Sequence, residues 1–219
     1  MPDPIPSATR PRAAAAATTA VRLGYHGSPE VARRIVRLAG HDERAVRLRT
    51  YDITDPFRAL RSGRLDLMIV KFGPREPDLA TSRTLAYDAR AVVVAARHPL
   101  ATRPSVSVED VAGYDVFDCP GSLPGHVWDE VVPRRTPAGR PLRRRHRFTD
   151  VPRVMRLVAE GAAVHLSLVS LADTVPATVR VVPVHDLPPA PVSLAWRRSP
   201  EPAPHIRDFV RAAEEATTR

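Results

Sequence analysis

The spacing of apolar residues alternates along the chain between the periods of strands and helices. Residues 21–27 and 45–52 read as short strands, and a helix with one apolar face lies between them. Ser28 is the predicted N-cap of that helix. Residues 65–70 are almost continuously apolar, which predicts a strand covered on both faces. The first 70 residues therefore predict a β-α-β-α-β order and an open parallel sheet.

The second half of the chain repeats this order of elements. Residues 105–184 read as further strands and helices, with a capping box at Ser107 and Asp110 and a helix that runs from Asp150 to Gly161. A last strand and an amphipathic helix remain, and they could return to the first lobe. Two crossings between two α/β lobes would make a hinged cleft, so the predicted fold class is α/β with two lobes.

The boundary between the lobes is predicted at Arg97–Ala101. A buried strand ends there, and Pro99 restricts His98 to an extended conformation, which suits a crossing segment. The predicted division is a first lobe of residues 21–99 plus 187–219 and a second lobe of residues 100–186. Residues 1–20, rich in Pro and Ala, are expected to form a flexible tail.

Composition narrows the classes of protein. No apolar run approaches the roughly 18 residues of a membrane span, and the N-terminus does not read as a secretory signal, so a cytoplasmic protein is expected. The single cysteine, Cys119, excludes a disulfide framework and a cysteine-rich zinc site. The formal net charge is +9, and almost all of the positive charge comes from arginine. Its densest segment, residues 134–147, lacks interleaved aromatic residues, which favours a solvated basic loop and edge strand over nucleic-acid contact.

Five segments in order resemble the effector-binding (substrate-binding) domain of LysR-type transcriptional regulators. They are "VRLGYHGS", "ALRSGRLDLMIV", "VVVAARHPLATRPSVSVEDVAGYDVF", "VMRLVAEGAAVHLSLVSLA" and "VSLAWRRSPEPAPHIRDFVRAA". The resemblance implies the fold of type II periplasmic binding proteins, a small-metabolite effector and a homodimer, or pairing with a full-length regulator. The family's winged helix–turn–helix has no counterpart in the sequence, so effector binding is inferred and direct operator binding is not. Ala163 and Ser167 replace a glycine and a proline of the family pattern.

Candidate ligand contacts follow from the expected cleft. Strand ends and helix N-termini favour anions, so an anionic metabolite is expected there. Each candidate also has a structural interpretation, such as a helix cap, a turn, core packing or an inert buried thiol. The candidate ligand-binding residues are Tyr25, His26, Ser28, Phe72, Gly73, His98, Cys119, Ser122, Thr149, Asp150 and Ser167.

Catalytic patterns are weak. The segment "GSLPG" at 121–125 does not have the spacing of a nucleophile elbow, and no metal-binding or phosphate-loop motif is present. No catalytic residue, metal or cofactor is therefore predicted. Two alternatives stay open beside the sensor: a small dehydratase or lyase on the same fold, and a basic nucleic-acid-binding module that uses Arg134–Arg147.

Overall fold

The structure is a computed structural model, and it describes residues 20–218. The expected flexible tail, residues 1–20, lies outside the described residues except for its last position. Among the described residues, no helix is both long and apolar enough to cross a membrane.

The first lobe is built on a six-stranded mixed sheet. Its strands follow the order β2-β1-β3-β11-β4, and β5 also pairs with β11. The pairs β1–β2 and β1–β3 are parallel, whereas β11 runs antiparallel to its neighbours. The strands are β1 (Val21–Tyr25), β2 (Val46–Thr50), β3 (Leu67–Lys71), β4 (Leu79–Thr81), β5 (Ala86–Asp88) and β11 (Ala190–Arg197).

Helices cover both faces of this sheet. On one face, α1 (Pro29–Leu38) and α6 (Pro204–Ala216) pack their apolar residues against the strands, and Phe209 is fully buried. The short helix α2 (Arg58–Arg61) covers the other face, where Leu60 is buried against Met68. The predicted cap is confirmed, since the Ser28 hydroxyl accepts a hydrogen bond from the Glu30 amide at 3.1 Å.

The second lobe has two smaller sheets and a separate core. One sheet has the antiparallel order β10-β6-β9, and the other is the parallel pair β7–β8. The predicted capping box at Ser107 and the left-handed Gly161 after α5 are both present. The elements are β6 (Arg90–Ala95), α3 (Val108–Val111), β7 (Asp115–Phe117), α4 (Gly125–Val131), β8 (Arg143–His146), α5 (Val151–Glu160), β9 (His165–Leu168) and β10 (Val179–Pro183), with 3-10 turns at Glu43–Ala45, Pro99–Thr102 and Val169–Asp173.

The first crossing lies earlier than the sequence predicts. The strand Arg90–Ala95 was expected in the first lobe, but it pairs with β10 and β9, so Ala89 alone separates the first-lobe sheet from the second. A fully buried apolar strand fits either sheet, because its residue pattern does not show which strands it pairs with. His98 therefore does not mark the crossing. It caps the 3-10 turn Pro99–Thr102 inside the second lobe, and its Nδ1 accepts the Leu100 amide at 3.1 Å. The return runs through residues 184–189 into β11.

Candidate functional site

A cavity of about 370 Å³ lies between the lobes, and each lobe supplies one wall. The first lobe contributes the carboxyl ends of β2 and β3 and the loops after β1 and β2. The second lobe contributes α4, the start of α5, β9 and the 3-10 turn after it. Strand ends of an α/β sheet facing a second lobe are a common position for a ligand site.

Most of the wall is apolar and rich in aromatic rings. Trp128 and Phe148 meet edge to face, with their ring centroids 5.7 Å apart, and Phe148 meets the His165 ring at the same distance. Across the cavity, Tyr51 and Phe57 come from the first lobe. The Tyr51 hydroxyl donates a 3.0 Å hydrogen bond to the Ile69 carbonyl, and burial raises the pKa of Tyr51, so the phenol is neutral.

A compact polar cluster lies on the cavity wall where the two lobes join. The Lys71 ammonium, at the end of β3, donates to Asp88 Oδ2 at 2.7 Å and to Ser170 Oγ at 3.0 Å. The Ser170 hydroxyl in turn donates to the same carboxylate at 2.5 Å. Because Asp88 is only 8% exposed, its charge and that of Lys71 balance each other away from bulk water.

Two histidines in the wall are neutral. Burial lowers the pKa of His165 to about 4. Burial also lowers the pKa of His26, with the nearby Lys71 charge acting in the same direction. His165 is 6% exposed, and its Nδ1 has no hydrogen-bond partner among the described residues.

Phe72 has a strained backbone beside the polar cluster. Its φ is 62°, a conformation that residues with a Cβ rarely adopt and that often occurs at ligand sites. The Arg90 guanidinium lies 5.2 Å from the centre of its ring and donates to the Glu130 and Val131 carbonyls at the end of α4. Burial lowers the pKa of Arg90 to about 10. Arg90 thus ties the crossing segment to both walls.

Two further contacts join the lobes around the cavity. The Ser28 hydroxyl donates to Asp173 Oδ2 at 2.6 Å, which connects the start of α1 to the 3-10 turn after β9. On another side, the Ser122 amide donates to the Thr54 carbonyl at 2.7 Å. Gly121 permits this approach, because a Cβ there would lie 2.1 Å from the Thr54 carbonyl oxygen.

Three of the predicted ligand residues line the cavity, namely His26, Phe72 and Ser167. Ser167 and His165 lie two residues apart on β9 and therefore share a face. The family proline that Ser167 replaces has no hydroxyl, so this position adds a polar group to the wall.

The other predicted ligand residues lie outside the cavity lining. Tyr25 and Gly73 flank it in sequence, and Ser28 is fully buried under the contact with Asp173. His98 packs edge to face on Tyr114 at 4.5 Å, inside the second lobe. Ser122 belongs to the contact with Thr54.

The remaining candidates have local structural contacts. The Cys119 thiol donates to the Leu123 carbonyl at 3.2 Å, and burial raises its pKa, which describes an unreactive thiol. Asp150 accepts the Arg153 amide as the N-cap of α5. Thr149 lies on a separate shallow groove that Arg145, Arg147 and Arg153 border.

Sequence reasoning missed several wall residues. Lys71 is the only lysine of the chain and directly follows the buried strand, which was a usable signal. His165 precedes Ser167 by two positions on an alternating strand, which was a second one. Trp128 and Phe148 have the same spacing as ordinary core residues, so the sequence offers no means of separating them from the core.

The arginines of residues 134–147 largely serve the fold. Arg143 pairs with Asp115 at 2.8 Å, and Arg144 pairs with Asp129 at 2.8 Å while its side chain is 11% exposed. Arg134 also contacts Asp129, at 3.0 Å. Much of the cationic charge in this segment is therefore balanced locally.

Two α/β lobes joined by two crossings, with a cavity between them, define a ligand-binding domain of the periplasmic-binding-protein type. The sequence agrees with this class: residues 31–218 match the family described as the LysR substrate binding domain. The chain therefore belongs to the LysR substrate-binding domain family, the effector-binding part of transcriptional regulators. The predicted family and fold class are confirmed.

Solved structures support the same fold. CbnR, a LysR family transcriptional regulator, superposes with a TM-score of 0.72 at 17% identity, covering 91% of this chain and 70% of that one. The effector binding domain of QuiR in complex with shikimate gives a TM-score of 0.62 at 19% identity, covering 91% and 97%. The effector binding domain of BenM with its effector benzoate gives 0.60 at 20%, covering 91% and 92%. No curated protein sequence matches the chain significantly.

Proposed function

We propose that this chain is the sensor of a cytoplasmic transcription regulator and that it binds a small-molecule effector in the cavity between its lobes. The observation that carries the proposal is the cavity itself, which has an apolar wall from each lobe and one polar cluster where the lobes join. QuiR and BenM, which share the fold, are known with shikimate and benzoate bound, so a small organic molecule is the expected class of ligand.

Binding is proposed to change how the lobes sit against each other. The contacts Ser28–Asp173 and Ser122–Thr54 and the cluster at Lys71 all join one lobe to the other around the cavity. A ligand that touches both walls favours the arrangement in which it makes more contacts, and it shifts the population accordingly. We propose that a partner reads this shift, either a second copy of the chain or a full-length regulator of the family.

An anionic effector, as expected from the sequence, would need a cationic contact in the cavity, and the structure offers few such contacts. The two helix N-termini proposed for this role already hold carboxylates of the chain, since Asp173 accepts from Ser28 and Asp150 caps α5. Among residues 20–218, Lys71 is the one lysine, arginine, aspartate or glutamate in the wall, and it is paired with Asp88.

We further propose binding without turnover. Lys71 and Ser170 lie within hydrogen-bonding distance, as in a serine–lysine dyad, but both donate to Asp88. The Ser170 hydroxyl donates to Asp88 and accepts from Lys71, so the lysine is not placed to take the serine proton. The dehydratase or lyase alternative has no support from these contacts.

The experiment is a thermal-shift screen of the purified chain against neutral, anionic and cationic small molecules. Each hit is then measured by calorimetry on the wild type and on Ser167→Trp, which puts an indole into the cavity. Ala162→Trp, on the exposed turn before β9, is the matched control. We expect one-to-one binding that Ser167→Trp abolishes and Ala162→Trp retains, and no chemical change in the recovered ligand. Val151→Trp fills the same cavity from α5, should Ser167→Trp not fold. Binding that survives a folded cavity-filling variant, or no hit of any charge, would refute the proposal.

A further inference from the structure

We propose that the cavity selects an uncharged aromatic molecule with one hydrogen-bonding group, in preference to a carboxylate or another anion. This inference rests on the proposed function, because it concerns the ligand of the same cavity. Three features of the wall carry it: its charge balance, its rings and the uncharged polar groups on β9.

The charged groups of the wall leave an anion without a free cationic partner. Among the described residues, no arginine, aspartate or glutamate lines the cavity, and Lys71 is the one lysine. Its ammonium already donates to Asp88 and to Ser170. An incoming carboxylate would lie near the Asp88 charge as well, so the attraction of Lys71 and the repulsion of Asp88 largely cancel. The Arg90 guanidinium is 2% exposed behind Phe72 and bonds to the Glu130 and Val131 carbonyls, so it gives an anion in the cavity no direct contact. Such an anion would lose its hydration without a free counter-charge in contact with it.

The ring arrangement favours a flat apolar ligand. Trp128 and Phe148 form one wall together with His165: Phe148 meets each of the other two rings edge to face, and Trp128 and His165 are stacked, which holds the rings in place. The Trp128 indole nitrogen donates to the Phe117 carbonyl at 3.3 Å, which fixes its orientation. Phe57 faces this wall from the other lobe. Rings held in this way can receive an aromatic ligand with little further ordering of side chains.

The Ser167 hydroxyl and the His165 imidazole are the uncharged polar groups that β9 contributes to the wall. The His165 Nδ1 is buried, lacks a partner among the described residues and belongs to a side chain in the cavity wall. That nitrogen is itself closed off from the cavity, so a ligand contacts it only after the His165 ring shifts. A neutral imidazole offers one donor and one acceptor, so a hydroxyl, carbonyl, amine or ring nitrogen suits it. Ser167, on the same strand face, offers a second uncharged contact.

The test uses two fluorescent probes with one scaffold. N-phenyl-1-naphthylamine is uncharged, and 8-anilino-1-naphthalenesulfonate carries the same rings and amine with an added sulfonate. Both are titrated against the wild type, and only the signal lost in Ser167→Trp and retained in Ala162→Trp is counted as cavity binding. This subtraction matters because exposed arginines bind sulfonates at the surface. We expect the uncharged probe to bind the cavity about tenfold more tightly or better.

A substitution at Asp88 tests the charge balance of the cavity. Asp88→Asn keeps the shape of the cluster and leaves the Lys71 charge unbalanced, so the affinity ratio should move by about tenfold toward the sulfonate. Equal or tighter cavity binding of the sulfonate in the wild type would overturn the inference, as would a ratio that Asp88→Asn leaves unchanged. Cavity binding of benzoate or shikimate without binding of the uncharged probe would also overturn it, while the proposed function would stand. A cavity that takes no molecule of any charge would overturn both.

Discussion

Lys71 at the end of β3 is bound to Asp88 at the end of β5, with 2.7 Å between the ammonium nitrogen and Oδ2. The pair lies one residue before the chain crosses to the second lobe, and Ser170 of that lobe bonds to both partners. The single lysine of the chain thus serves the junction of the lobes and sets the charge of the cavity.

Asp88→Asn should destabilise the fold strongly. Lys71 is 18% exposed, so the substitution leaves a largely buried charge without its counter-ion, and a loss of about 3 kcal/mol is expected. Asp78→Asn is the matched control, because its partner Arg61 and Asp78 itself are each 47% exposed and such pairs contribute at most about 1 kcal/mol. Urea unfolding of both variants measures the difference. Equal losses would mean that the Lys71 pair is no more desolvated than a surface pair.

Gly121→Ala should loosen the contact between the lobes. An added Cβ would lie 2.1 Å from the Thr54 carbonyl oxygen, and φ is 47°, so both crowding and backbone strain act against it. Gly139→Ala has φ 82° and no atom within 4 Å, so it carries only the backbone cost of about 1 kcal/mol. We expect the free energy of unfolding, measured in urea, to fall roughly twice as much in Gly121→Ala as in Gly139→Ala. A loss no larger than that of Gly139→Ala would show that residues 54 and 121 are not held together in solution.

Ser28→Ala and Ser107→Ala remove matched helix caps with different consequences. Each serine accepts an amide of its own helix and donates to an aspartate, so each variant should lose about 1–2 kcal/mol. Asp173, the partner of Ser28, belongs to the other lobe, whereas Asp186 lies within the same lobe as Ser107. Hydrogen exchange should therefore rise at residues 169–173 in Ser28→Ala and stay unchanged there in Ser107→Ala. Identical exchange patterns would contradict the interlobe role of Ser28.

His165 should make the fold sensitive to mild acid. Its pKa is about 4 in the folded chain and 6.5 as the ordinary value, so below pH 6.5 the unfolded chain binds the extra proton. The free energy of unfolding therefore falls as the pH drops from 6.5 toward 4, by roughly 3 kcal/mol from this residue. His165→Phe keeps a ring among Phe117, Trp128 and Phe148 and removes the titration. Urea unfolding at pH 7 and pH 4.5 should show a smaller decrease in the variant than in the wild type. The same decrease in both would contradict a neutral, buried His165.

Local signals in the sequence predicted the elements well. A serine before a proline marked the start of α1, and a glycine in the left-handed region ended α5. The spacing of Ile206, Phe209, Val210 and Ala213 identified the buried face of α6. These features act within one turn of the chain, so they need no knowledge of the tertiary structure.

Placement between lobes could not be predicted in the same way. The strand Arg90–Ala95 is buried whichever sheet it joins, and only the pairing with β9 and β10 decides. The ligand residues predicted from the sequence missed most of the cavity wall for a related reason. Hydroxyls at helix starts, such as Ser28, were weighed as ligand contacts, but this hydroxyl is bound within the chain. The aromatic wall looked like core, because the cavity consists of core-type residues left uncovered between two lobes.

The most direct test of the account is a crystal structure of the chain grown with N-phenyl-1-naphthylamine. We predict one molecule between the lobes, stacked against Trp128 and Phe148, with its amine nitrogen facing Ser167 and His165 on β9. Density for the probe only at the surface, for example in the groove beside Arg145 and Arg153, with the interlobe cavity empty, would contradict the account.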